Sequence, residues 1–130
     1  MYYKQSWAPH FERGRNNYAF MQSHFRAPVN VYKTENSYEL LVFAPGRIKE
    51  NFSVSAQGNQ LNVSYTPPEG LPRPEWIKRE YSRGGFERTF TIDDSIDTAN
   101  IKANYADGVL QLSLPIIPGK ETPQQNIPVN

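Results

Sequence analysis

The sequence predicts an all-β protein: one antiparallel β-sandwich with an arm at each end. Three observations carry that prediction. Between residues 28 and 117 apolar and polar residues alternate in short runs, the period of a half-buried strand. Turn-forming pairs, Pro45-Gly46, Gly58-Asn59 and Asp107-Gly108, separate several of those runs. No stretch of usual helix length inside this zone repeats its apolar residues with a helical period. A chain of 130 residues is one domain's worth. The expected division is an N-terminal arm over 1–26, a sandwich over 27–117 and a C-terminal extension over 118–130.

The N-terminal arm is aromatic and basic and has no clean period; a weak helix over 18–25 is the one element it suggests. Such sequence is usually disordered, so a flexible arm is expected. Trp7, Phe11, Tyr18, Phe20, Met21 and Phe25 nevertheless make it adhesive. Either it folds on its own domain or it meets other molecules. "VNVYKT" and "SYELLVFAPG" then read as two strands joined around Glu35-Asn36. The second is apolar on both faces from Leu40 to Phe43, which predicts a central place in its sheet. Pro45-Gly46 fits the middle of a type II turn, because proline fixes φ and glycine accepts a positive one. "NFSVSA" places Phe52, Val54 and Ala56 on one face. "QLNVSY" returns through Gly58-Asn59 with Leu61, Val63 and Tyr65 on one face.

The alternation breaks at "TPPEGLPRPEWIKREYSRG". Pro67, Pro68, Pro72 and Pro74 exclude a central strand there. "EWIKREY" could supply an edge strand carried away from the sandwich on a proline-stiffened arm. So long a connection calls for a function, since loops beyond about 12–15 residues are uncommon in compact domains. "GGFERTFTI", "IKANYA" and "VLQLSLPI" complete the strands, the last two joined by a type I′ turn at Asp107-Gly108. The extension is polar until its last residues, where Ile127 and Val129 stand either side of Pro128. A free terminus gains nothing from such side chains, so a surface that buries them is expected.

Composition narrows the function. The formal charge of +1 makes no electrostatic case for nucleic acid or an anionic membrane. The absence of cysteine removes disulfide and thiol chemistry. His10 and His24 both lie in the arm and form no convincing metal set. Asp93, Asp94 and Asp97 lack the spacing of an EF-hand, and Gly84-Gly85 is not followed by the Lys and Ser/Thr of a phosphate loop. No pair of carboxylates stands out for glycoside hydrolysis. The expectation is a binding protein with no catalytic residue, metal, cofactor or small-molecule substrate. The first residues contain no apolar run suited to a signal peptide, and no segment is long enough to span a bilayer. A cytoplasmic location is expected.

The order of elements resembles a known family. "FERTFTIDDSIDTANIKANYADGVLQLSLP" is similar to the signature region of the small heat-shock protein (alpha-crystallin) family. The resemblance is carried by Phe86, Arg88, Phe90, Ile92, Ile96-Asp97, Ile101, Ala103, Gly108-Val109-Leu110, Leu112, Leu114 and Pro115. "YELLVFAPG" resembles the family's upstream strand and turn, and "WIKREYSRGGF" the segment that supplies its dimer-forming strand. Ile127-Pro128-Val129 matches its I-x-I/V tail motif. Asp93 stands where proline is usual and Asp107 where asparagine is, and the turn chemistry survives both.

The resemblance implies an immunoglobulin-like sandwich, an alpha-crystallin domain, whose long-loop strand swaps onto a partner copy in the bacterial and plant manner. Val29, Tyr32, Trp76 and Ile77 would meet at that dimer interface, with Arg88 pairing a carboxylate there. The tail anchor Ile127, Pro128 and Val129 would dock on a neighbouring copy, in a groove mapping to Phe52, Val54 and Ala56 on one side and Ile101 and Ala103 on the other. The implied function is that of an ATP-independent holdase, a homo-oligomer that keeps partly unfolded proteins soluble. Trp7, Phe11, Phe20, Met21 and Phe25 would contact those clients. Two alternatives share the predicted fold: a p23-like co-chaperone, and a carbohydrate-binding module stacking sugars on Trp76 and Tyr81.

Overall fold

The computed structural model describes residues 4–5, 27–120 and 127–129. Its strands are β1 (Lys4–Gln5), β2 (Val29–Lys33), β3 (Ser37–Phe43), β4 (Phe52–Gln57), β5 (Gln60–Tyr65), β6 (Phe86–Thr91), β7 (Lys102–Ala106) and β8 (Val109–Pro115). They form two antiparallel sheets, ordered β1-β6-β5-β4 and β2-β3-β8-β7. The sandwich is thus as the alternation predicts, and β3 is central, between β2 and β8. The helix considered for 18–25 lies outside the described residues. Of the arm, only Lys4–Gln5 is described, pairing with Thr91 and Phe90 of β6. Nothing in the arm's sequence signals that pairing.

Register explains the core. Leu61 faces Phe90 and Tyr65 faces Phe86 across the first sheet. Leu40 faces Leu112 and Val42 faces Leu110 across the second. Cross-strand partners share a face, so these two sets close on each other, and all eight side chains are buried. Each buries roughly 1.5–3 kcal/mol of transfer free energy. An Ile96–Ile116 bridge and the Ile92 N–H bond to Asn59 O, 2.7 Å, close the edges of the layer.

The turns match their sequence signals. Asp107 and Gly108 both take positive φ, 54° and 79°, as a type I′ hairpin requires. A Cβ at Gly108 would also meet Pro45 Cβ at 3.0 Å, so the β7–β8 turn packs on the β3–β4 turn.

One polar group is buried where alternation predicts solvent. Glu39 sits opposite Tyr32, away from the Leu40–Leu112 face, and is buried. Its carboxylate accepts from Ser37 Oγ and Ser113 Oγ, both at 2.7 Å, and from Gln111 Nε2 at 3.1 Å. Burial alone would raise its pKa, but the three donors together outweigh it and hold the carboxyl below the ordinary value of 4.5. The carboxylate therefore stabilises the fold above about pH 4.5, and that contribution disappears as pH falls through the lowered folded-state pKa. Glu39→Gln is expected to cost about 1–3 kcal/mol at neutral pH. Urea titrations across pH 3–7 should show a shallower acid loss than in the unaltered chain; parallel profiles would contradict this.

Candidate functional site

The edges of the two sheets build the candidate site. β4 ends the first sheet and β7 ends the second, so both expose backbone groups along one side of the sandwich. Between them lies a cavity of about 270 Å³ lined by Val54, Ser55, Ala56, Leu61, Thr98, Ile101 and Ala103. That volume is below the 300–1,000 Å³ usual for drug-sized ligands and suits a few aliphatic side chains. The space exists because Ala56 and Ala103 carry only methyl groups. Ala56 faces Leu61 across the β4–β5 ladder, which brings the leucine into the cavity floor.

The structure brings together four of the expected groove residues, Val54, Ala56, Ile101 and Ala103. Phe52 instead meets Tyr105 at 4.8 Å and Tyr65 at 4.9 Å between ring centroids. It does not line the cavity. Ser55, Leu61 and Thr98 also line the cavity, and sequence reasoning missed all three. Leu61 reads as core, and Thr98 belongs to a short 3-10 turn, Thr98–Asn100, that carries no periodic signal. The tail side chains do not fill the groove: Ile127 is 79% exposed and Val129 97%.

A second surface lies at the other end of the sandwich. β2 pairs only with β3 among the described residues, which leaves its outer edge open, with Tyr32 exposed and Val29 half-buried. The 66–85 connection forms no strand within this chain. It projects Leu71, Trp76 and Tyr81 half-exposed, and Ile77 is 100% exposed. A side chain so apolar gains nothing from water. Neither aromatic is a bare sugar platform: Arg79 lies 5.1 Å over Trp76, and Arg47 lies 5.8 Å over Tyr81.

The carboxylate expected for Arg88 would belong to a partner copy; within one chain its surroundings are largely apolar. Arg88 shares its face of β6 with Phe86 and Phe90 and is only 4% exposed. Nη1 donates to Ala27 O at 2.8 Å, while Nη2 is buried with no partner among the described residues. Burial pushes the guanidinium pKa down to about 10. No carboxylate pairs with it among the described residues.

No group of three or more metal-ligating side chains occurs among the described residues. No described helix is long and apolar enough to cross a membrane. Trp7, Phe11, Phe20, Met21 and Phe25 lie outside the described residues.

The two-layer antiparallel sandwich is of the class found in small heat-shock proteins. A model described as the Hsp20/alpha crystallin family matches residues 30–130, and the chain belongs to that family. It is 38% identical to heat shock protein 26 of Saccharomyces cerevisiae over 96 residues, covering 68% of this chain and 45% of that one. It is 32% identical to a probable 15 kDa heat shock protein of Leptospira interrogans over 87 residues, covering 67% of each. Among solved structures, heat shock protein 16.0 of Schizosaccharomyces pombe superposes with a TM-score of 0.58 at 28% identity, over 80% of this chain and 75% of that one. A small heat-shock protein of Xylella fastidiosa gives 0.60 at 25% identity, over 80% and 96%. The chain spans 45–64% of the length of the yeast protein and of two 18 kDa antigens of Mycobacterium avium that it also resembles.

Proposed function

We propose that this chain is an ATP-independent holdase, a dynamic homo-oligomer that binds partly unfolded proteins and prevents their aggregation. Membership of a family known for ATP-independent chaperones supports the class of activity. The observation that carries the reading is the pairing of an open apolar groove with an exposed Ile127-Pro128-Val129.

In this reading the tail of one copy lies against the β4 and β7 edges of another. Pro128 keeps the segment extended, and residues two apart point to the same side. Burying both side chains yields about 3–6 kcal/mol gross. Ordering the tail consumes part of that, leaving about −4 kcal/mol, near millimolar affinity. One such contact is brief; many at high effective concentration hold an oligomer together while copies still exchange.

Dimers form by strand exchange: the Trp76–Ile77 segment of one copy adds to the open edge of β2, at Val29 and Tyr32, of the other. Such addition removes two edges that would otherwise invite aggregation. A carboxylate of the partner copy supplies the missing acceptor for Arg88 Nη2. Clients bind the adhesive arm residues Trp7, Phe11, Phe20, Met21 and Phe25, and also the groove when a tail leaves it. The chemistry asks for no cofactor, and the setting is the cytoplasm.

Light scattering from a heat-labile client, without nucleotide, tests the activity. Equimolar chain is expected to suppress most of the scattering; an unchanged trace would reject the holdase reading. Deleting residues 1–25 should weaken protection severalfold and leave the far-UV spectrum of a sandwich. Full protection by that variant would remove the arm's role.

A further inference from the structure

A second buried arginine, Arg47, sits at the start of the β3–β4 connection and is 6% exposed. Among the described residues it forms no ion pair. Three aromatic rings surround it instead: its guanidinium carbon lies 5.3 Å from the ring centre of Tyr65, 5.8 Å from Tyr81 and 5.2 Å from Phe86. Nη1 donates to Tyr81 Oη at 2.6 Å. Nη2 donates to Gly84 O at 2.9 Å and, more weakly, to Ser82 O at 3.4 Å. Tyr81 passes the link on, donating to Pro45 O at 2.7 Å.

The hydrogen bonds among these contacts all join one short stretch, residues 81–84, to one turn, residues 45–47. Arg83 completes the seam: it lies so close over Gly46 that a Cβ there would come within 2.6 Å of Arg83 Cδ. Gly46 also has φ of 76°, so the backbone demands glycine there, and a Cβ would push the Arg83 side chain off the turn. The other root of the loop is held separately, by Asn51 Nδ2 to Thr66 O at 2.8 Å and Thr66 N–H to Asn51 O at 3.1 Å. The free span is therefore shorter than the loop, and Leu71, Trp76 and Ile77 are its exposed large apolar residues.

We propose that Arg47 is the positioning residue for exchange between copies: an aromatic-caged guanidinium pins residues 81–84 to the β3–β4 turn and sets the direction in which Trp76 and Ile77 are presented to a second copy of this chain. This rests on the strand-exchange reading above. A pinned root leaves fewer residues to order when the copies pair. Unpinned, the loop spends less time in the competent geometry, and apparent affinity falls by the same factor. Lysine cannot replace the pin, because one ammonium cannot span the forked donors to Tyr81 and Gly84.

The cysteine-free chain permits a direct test in full length. Ile77→Cys and Tyr32→Cys in one chain should form disulfides between copies on brief oxidation, with a yield that rises with protein concentration. Absence of any such link in the otherwise unaltered chain would overturn strand exchange, and the pin with it. Given the link, adding Arg47→Met or Arg47→Lys should raise the concentration for half-maximal yield about tenfold. Tyr81→Phe, which removes one oxygen and keeps the ring, should raise it about threefold and serves if an Arg47 variant fails to fold. Amide exchange at 82–84 should quicken while β3 and β8 keep their protection, a split that general destabilisation would not produce. Links forming at an unchanged concentration in all three variants would overturn the pin and leave strand exchange standing.

Discussion

Ile127→Ala combined with Val129→Ala is expected to reduce the assembly to dimers at concentrations where the unaltered chain is a larger oligomer. The change removes three carbons from one side chain and two from the other, at about 0.8 kcal/mol per buried carbon. The loss of about 4 kcal/mol matches the whole net affinity proposed for one tail, about a thousandfold. Both residues are mostly exposed in the single chain, 79% and 97%, so thermal unfolding of the sandwich should change little. Size-exclusion chromatography with light scattering reads both variants and the double variant. An undiminished mass would remove the tail from the assembly.

Phe90→Ala is the substitution expected to damage the fold most. Its ring is fully buried, faces Leu61 across the β5–β6 ladder, and lies 5.8 Å beneath the Arg88 guanidinium. Truncating a buried phenylalanine costs about 3–5 kcal/mol, out of the 5–15 kcal/mol typical of a domain. The cavity also strips the desolvated cation of an aromatic neighbour. Differential scanning calorimetry should show Tm lowered by about 15–30 °C. A loss under about 5 °C would mean that the sandwich repacks around the gap.

Strand periodicity and turn chemistry were the most legible features. Leu40, Val42, Leu110, Leu112 and Leu114 alternate so regularly that the central β3–β8 ladder follows from them, and Asp107-Gly108 could hardly serve another turn. Alternation placed Val54 and Ala56 on one face of a strand, and the family resemblance added Ile101 and Ala103 opposite them. The groove's floor was not legible, because a core leucine and a cavity-lining leucine look alike in one dimension. Contacts between distant polar groups were the least legible. Arg47 meets Tyr81 and Gly84 across more than thirty residues of chain, and an arginine after Pro-Gly reads as solvated. Glu39 occupies an outward position of β3 yet is satisfied by three neutral donors, two of them on a strand some seventy residues later. Arg88 donates to the carbonyl of Ala27 across about sixty residues of chain, and no local pattern encodes that bond.

The claim on which the rest depends is that the groove between β4 and β7 receives the tail of another copy. Methyl-detected NMR of the Ile127→Ala/Val129→Ala chain, titrated with a peptide of residues 121–130, tests it directly. Val54, Leu61 and Ile101 should shift together and saturate near millimolar peptide, while methyls in the opposite edge strand, Val29 and Val31, stay still. Shifts confined to other residues, or none at several millimolar, would contradict it.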